Sequence, residues 1–315
     1  MPSCTSCMTP IFPGGGARIQ NGCFWCRTCF DAVYCVCRVC DRVFFRLQRF
    51  SDDCLCAPCR SRLDATWQPS QFLARNTTFN SVESTRPFGI ELETSRCPDY
   101  RLLHDNTIFG AKQDGSISGM EFISPILYGD AGLTAIIDFC TKAKAMKFTV
   151  NSDCGYHLHI DMRGTLPDQR RSTAYAYYLT YPVWQTFVNQ YRAYDCSYCR
   201  SPDYTATELL RCANFDWWAE SQSRYQFINL KAYACHNTFE IRGYEGTLNA
   251  NEICNWIKAH LKFADFVENE TPSDLFDLFN GRHAKTWAAM RKILGPDLAR
   301  VYGRKRATRN TPIFA

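Results

Sequence analysis

The chain has 315 residues, 46% of them hydrophobic and 21% charged, a composition that excludes a mainly disordered state and gives enough length for one large core with a small module beside it. No run approaches the roughly 18 apolar residues of a membrane span, and the opening residues, with Cys4, Cys7 and Gly14-Gly15-Gly16, lack the layout of a signal peptide. A cytoplasmic, intracellular address without a membrane partner is therefore expected, and the formal net charge of +5 is too small to require nucleic acid.

Of the 19 cysteines, 11 fall in the first 59 residues. With no secretory signature, metal ligation is a better reading than a disulfide scaffold. Four C-x-x-C pairs stand out, Cys4/Cys7, Cys23/Cys26, Cys37/Cys40 and Cys56/Cys59, separated by 15, 10 and 15 residues. This duplicated unit predicts about two structural zinc ions, each held by four thiolates. The pairing of turns, sequential or crossed, stays open, and Cys29, Cys35 and Cys54 are alternative ligands. About 60 residues bury too little apolar surface to fold alone, so the metal supplies the missing free energy. Residues 1–62 are read as a zinc-binding module that docks a protein partner or substrate; a nucleic-acid partner is not expected.

The polar stretch 63–86 reads as a linker. Beyond it, alternating runs predict strands over 88–93, 120–123, 156–161, 226–230 and 238–242. Helices are predicted over 134–146, 171–191, 251–268, 273–279 and 285–294, the fourth opened by Thr271-Pro272 and closed by Asn280-Gly281. Strands and helices do not alternate strictly, so the expected class is α+β with a largely antiparallel sheet. A folded domain over 87–302 would then be followed by a basic tail, 303–315.

Three of the strands carry polar side chains at i, i+2. Successive strand residues face opposite ways, so Glu91 and Glu93 share one face while Phe88, Ile90 and Leu92 share the other. His157 and His159 are set in the same manner against Leu158 and Ile160, as are Glu240 and Arg242 in the last strand. With Glu121, one sheet face could gather four carboxylates, two imidazoles and a guanidinium. Such donors suit Mg²⁺ or Mn²⁺, and an adjacent arginine suits a phosphoryl group in transfer. No P-loop is present.

At these residues the sequence resembles the amidoligase family, distant relatives of glutamine synthetase and glutamate–cysteine ligase among the carboxylate–amine ligases. The matching landmarks are Phe88-Gly89-Ile90-Glu91-Leu92-Glu93, Asp114-Gly115-Ser116 leading to Glu121-Phe122-Ile123-Ser124-Pro125, and Cys154-Gly155-Tyr156-His157-Leu158-His159. They continue with Ser223-Arg224-Tyr225, Ile228-Asn229-Leu230, Thr238-Phe239-Glu240-Ile241-Arg242, Gly246-Thr247-Leu248-Asn249 and Ile253-Cys254-Asn255-Trp256-Ile257. The resemblance implies a glutamine-synthetase-like curved antiparallel sheet with packed helices, binding ATP and divalent metal on its concave face. It implies Glu91, Glu93, Glu121, His157 and Glu240 as metal ligands, His159 near the nucleotide phosphates, and Arg242 on the moving γ-phosphoryl group. Arg224 and Asn229 would touch phosphate or substrate. The implied reaction joins a substrate carboxylate, in a small molecule, peptide or protein, to an amine through an acyl phosphate. Two other readings stay open here: a non-catalytic zinc-binding adaptor on an inactive ligase fold, and a metal-dependent amide hydrolase using the histidine pair.

Overall fold

The computed structural model describes residues 83–98, 100, 101, 103, 107–193, 196–280 and 283–308, and in the amino-terminal part 3, 4, 6–8, 18–20, 23–26, 28–30, 34–36 and 43–45. The chain divides into two units, Met1–Trp67 and Gln68–Ala315.

The first unit contains two antiparallel hairpins, β1 (Arg18–Gln20) with β2 (Cys23–Trp25) and β3 (Tyr34–Val36) with β4 (Val43–Phe45). Phe30 and Tyr34 are buried with ring centroids 5.1 Å apart, and Trp25 meets Tyr34 edge-on at 5.3 Å. Among the described residues these three rings form an apolar centre beside the hairpins.

In the second unit, β5 (Phe88–Glu93), β6 (Gly110–Lys112), β7 (Glu121–Ile123), β8 (Gly155–Asp161), β9 (Ile228–Asn229) and β10 (Thr238–Glu245) form one sheet in the order β6-β7-β5-β8-β10-β9. Every neighbouring pair is antiparallel. The expected α+β class with an antiparallel sheet is therefore observed. Strand β6 was not anticipated, because three residues are too few for an alternation to register, and the run expected over 226–230 forms a strand at Ile228–Asn229, with Gln226 in an isolated bridge to Arg200.

The helices are α1 (Gly129–Ala145), α2 (Pro167–Trp184), α3 (Ala206–Arg211), α4 (Phe215–Glu220), α5 (Ala232–His236), α6 (Ala250–Val267), α7 (Pro272–Phe279) and α8 (His283–Thr308). Ile253, Trp256, Ile257, His260, Leu261, Phe263, Ala264 and Val267 recur at helical spacing along α6 and are all buried. They pack with Trp184 of α2 and with the sheet face formed by Phe88, Ile90, Leu92, Tyr156, Leu158 and Ile160 into one core. Thr271 caps α7 by accepting from the Asp274 N–H, with Pro272 at the first turn, as the sequence predicts. The short α3 escaped notice although Thr205 and Glu208 form a capping box at its start.

The helices expected over 134–146 and 171–191 run instead over Gly129–Ala145 and Pro167–Trp184, and both ends of the described part of the second unit are ordered. Only residues 83–86 of the expected linker lie among those described, and they are fastened: Arg86 pairs with Asp265 at 2.7 Å and with Glu268, and Glu83 pairs with Lys262 at 2.6 Å. At the other end the helix does not stop at Leu294. Gly295 takes φ 79° before Pro296 and breaks α8, and the helix then resumes to Thr308, so part of the expected tail is helical. Among the described residues, no helix is long and apolar enough to cross a membrane.

Candidate active site

Strand pairing assembles the polar face. Glu93 lies directly opposite Glu121, and Glu121 opposite Lys112; Glu91 lies opposite His157; Glu240 lies between His159 and Asn229. Between Ile241 and Tyr244 the register with β8 shifts, which sets Arg242 and Gly243 against the single residue His157. Gly243 is required there, since a Cβ would lie 2.1 Å from the Phe227 ring.

The resulting cluster is dense and withdrawn from water. Glu91 Oε2 is 3.1 Å from His157 Nδ1, and Glu91 Oε1 is 3.4 Å from His159 Nε2. His157 also approaches Glu240 at 3.3 Å and Glu93 at 3.7 Å. Asn229 donates to Glu240 Oε2 at 2.6 Å, while the other Glu240 oxygen accepts from Arg242. Arg242 Nε donates to the Tyr198 carbonyl at 3.1 Å, and the Gly155 N–H donates to Glu93. His159 Nδ1 is 2.9 Å from Thr238 Oγ1, which fixes its ring.

Burial alone would raise the Glu91 carboxyl, but hydrogen bonds with His157 and His159 and the charges of His159 and Lys112 hold it well below the usual carboxylate range. Burial likewise opposes ionisation of Glu240, yet Arg242 and the two imidazoles keep it low. For His159 burial pulls the pKa down, and Glu91 followed by Glu240 more than reverses this. The face is thus built to hold carboxylates ionised in a buried place.

Three overlapping donor sets occur, each with one atom per residue within 4.8 Å of the others: Glu91, His159 and Glu240; Glu91, Glu121 and His157; and Glu93, Asp114 and Glu121. His157 Nε2 is buried with no hydrogen-bond partner. Carboxylate oxygens with one or two imidazoles are the donors that Mg²⁺ or Mn²⁺ accepts, so the residues fit such a cation.

The structure therefore brings together Glu91, Glu93, Glu121, His157, His159, Asn229, Glu240 and Arg242. Arg224 does not join them: it is exposed, with its guanidinium 4.9 Å from the Tyr225 ring centroid. Two members were not anticipated. Lys112 pairs with Glu121 at 2.6 Å, and Asp114, held by the Ser116 N–H and hydroxyl at 2.7 Å each, reaches the Glu93 end. Its signal was the Asp114-Gly115-Ser116 landmark itself, a turn in which the aspartate side chain bonds two residues on.

In the first unit the sulfurs of Cys4, Cys7, Cys26 and Cys29 all lie within 4.8 Å of one another, and Cys7 and Cys26 are 3.8 Å apart. A tetrahedron with Zn–S of about 2.3 Å has edges of roughly that length. Of the expected ligands this set contains Cys4, Cys7 and Cys26, and Cys29, an alternative ligand in the sequence, is the fourth member. Cys29 follows Cys26 in a turn closed by the Phe30 N–H on the Cys26 carbonyl at 2.9 Å. The side chain of Cys23 lies outside those described. Cys37, Cys40, Cys56 and Cys59 lie outside the described residues.

Fold and site define an α+β protein whose antiparallel sheet presents a buried face of carboxylates and imidazoles. A family model described as "Putative amidoligase enzyme" matches residues 70–264, and the chain belongs to that family. No curated protein matches the chain. Among solved structures it is similar to the crystal structure of a bifunctional glutathione synthetase from Pasteurella multocida, with 12% identity and a TM-score of 0.41 over 81% of this chain and 49% of that one. The chain thus spans about half of that protein, and a likeness at this level carries no argument about substrate or mechanism.

Proposed function

We propose that the protein is an ATP-dependent carboxylate–amine ligase working on the polar face of a glutamine-synthetase-like sheet. The observation that carries this reading is the gathering of Glu91, Glu93, Glu121, His157, His159 and Glu240 into three overlapping donor sets beside Arg242. A bound divalent cation would supply charge neutralisation for phosphate oxygens. Glu91, Glu93, Glu121, His157 and Glu240 would hold it, with Asp114 added from the structure, and His159 would stand near the nucleotide phosphates.

A carboxylate is a poor electrophile at neutral pH. Its oxygen attacks the γ-phosphorus of ATP, the bond to the β-phosphate breaks, and ADP leaves. The amine nitrogen then adds to the acyl carbon, loses a proton, and phosphate departs as the amide forms. Arg242 is held toward this face by Glu240 and by the Tyr198 carbonyl, so its guanidinium is positioned before charge develops on the moving phosphoryl group. Asn229 orients Glu240. The four-cysteine cluster would hold a structural zinc in a module that recruits a partner or substrate.

The test is ADP release by purified protein. It should require Mg²⁺, a carboxylate and an amine together, as found by screening amino acids, peptides and polyamines, and mass analysis should show the amide. Unchanged ADP release in Glu93→Gln or Arg242→Ala would overturn the site assignment.

A further inference from the structure

Gly155 opens β8 on the same face as His157 and His159, since residues two apart in a strand point the same way. A Cβ at that position would lie 2.5 Å from Nη2 of Arg192 and 3.0 Å from Nε2 of His157. The guanidinium of Arg192 therefore fills the space that a side chain at 155 would take, on the polar face and beside the imidazole.

Arg192 is 2% exposed. Its Nη2 donates to the Arg242 carbonyl at 3.0 Å, and its Nε is buried with no hydrogen-bond partner. The ion pairs of this face run from the carboxylates to Lys112, His157, His159 and Arg242; among the described residues none reaches Arg192. The carboxylates in the neighbouring strands are already engaged, Glu93 by the Gly155 N–H and Glu245 by the Asn189 N–H at 3.0 Å. An arginine does not lose its proton in a protein. The Arg192 charge favours the thiolate of Cys196 nearby, yet no carboxylate among the described residues pairs with the guanidinium, and its buried Nε still lacks the hydrogen-bond partner that burial requires.

We propose that Arg192 is an oxyanion-binding residue of this face, taking the carboxylate or phosphoryl oxygens of a substrate through Nε and the guanidinium edge. The assignment to substrate rests on the ligase reading; the anion binding itself does not. With Arg242 joined to it through the main chain, the two guanidinium groups would enter the site from one side while the carboxylates and imidazoles occupy the other.

The experiment titrates the full chain in Mg²⁺ with inorganic phosphate, with ADP and with acetate, by calorimetry, in the wild type, Arg192→Gln, Arg192→Lys and Gly155→Ala. The last keeps the charge but pushes Nη2 from its seat. Loss of a charge-assisted contact should weaken the anion concerned by at least about ten-fold in Arg192→Gln and Gly155→Ala, and less in Arg192→Lys. Weakened ADP and phosphate assign a phosphoryl ligand; weakened acetate alone assigns the substrate carboxylate. Binding of all three probes unchanged by the substitutions, or no binding of any at millimolar concentration in the wild type, overturns the proposal. Should the substitutions prevent folding, the NMR resonance of the Arg192 Nε–H in the wild type should move on titration with a bound probe, and an unmoved resonance counts against it. Arg192-dependent anion binding without ADP release from ATP would leave Arg192 in this role and sink the ligase reading. ADP release with the same KM and kcat in Arg192→Gln does the reverse.

Discussion

Glu93 and Glu121 stand directly opposite each other across β5 and β7, and both are almost fully removed from water. Like charges placed in this way oppose strand pairing by up to about 1 kcal/mol, and among the described residues Lys112 forms its ion pair with Glu121. A cation between them would turn the cost into a gain. Saturating Mg²⁺ or Mn²⁺ should therefore raise the unfolding free energy, by about 2.7 kcal/mol at a hundred times Kd. Glu93→Gln should lose most of that increment while being at least as stable as the wild type in chelator. Thermal unfolding with and without metal measures both; an increment retained in Glu93→Gln removes Glu93 from the ligand set.

The cysteine cluster gives a prediction of its own. Cys29→Ser should release about one zinc ion per chain, because the four-sulfur set then lacks a corner. Elemental analysis of the purified variant against the wild type decides it, and unchanged zinc in Cys29→Ser would remove Cys29 from the ligand set.

Cys196 is held down to about 5 by a hydrogen bond from Cys199 and, against burial, by the charge of Arg192. Thiolates alkylate and thiols do not. Iodoacetamide labelling of Cys196 should therefore rise through about pH 5 and level off well below neutrality, while Cys140, pushed up to about 12 by burial, stays unlabelled. Arg192→Gln should move the Cys196 midpoint upward. Peptide mass mapping across pH follows all three, and a midpoint near the ordinary 8.5 contradicts the arrangement.

His260 is buried on α6, 2.8 Å from the Tyr177 hydroxyl and stacked on Trp184 at 4.0 Å. Burial holds its pKa well below the usual value. Below about pH 6.5 the unfolded chain binds a proton there that the folded chain refuses, so stability falls with pH by up to about 1.4 kcal/mol per unit until the folded value is reached. His260→Gln, though less stable at pH 7, should show a shallower loss between pH 6.5 and 5 in urea unfolding. Parallel curves would mean that His260 does not titrate on unfolding.

What could be read in the sequence depended on range. Glu91 and Glu93, His157 and His159, Glu240 and Arg242 announce a shared face because strand alternation is a local rule, and the pairing of β5, β8 and β10 then sets them together. Lys112 sits in a strand of three residues, too short for any period. Arg192 reaches the face from a turn far along the chain, and the trace it leaves in β8 is Gly155, where a side chain would meet its guanidinium. Arg224, placed by resemblance, faces solvent. That Cys29 joins Cys4, Cys7 and Cys26 depends on the turn after Cys26, which C-x-x-C spacing alone does not reveal.

The irregularity at Arg242 and Gly243 has a consequence for parity. In a uniform strand Glu240 and Glu245 would lie on opposite sides. The one additional residue resets the count, so Tyr244 returns to the core against Tyr156 while Glu245 meets Gly155 on the side of the histidines. A single-residue deletion there would straighten the strand and leave Tyr244 and Glu245 on their present sides, whereas straightening it with every residue kept would deliver a carboxylate to the aromatic interior. The strand thus stays in phase with β8 at both ends by being out of step in the middle, where its arginine emerges.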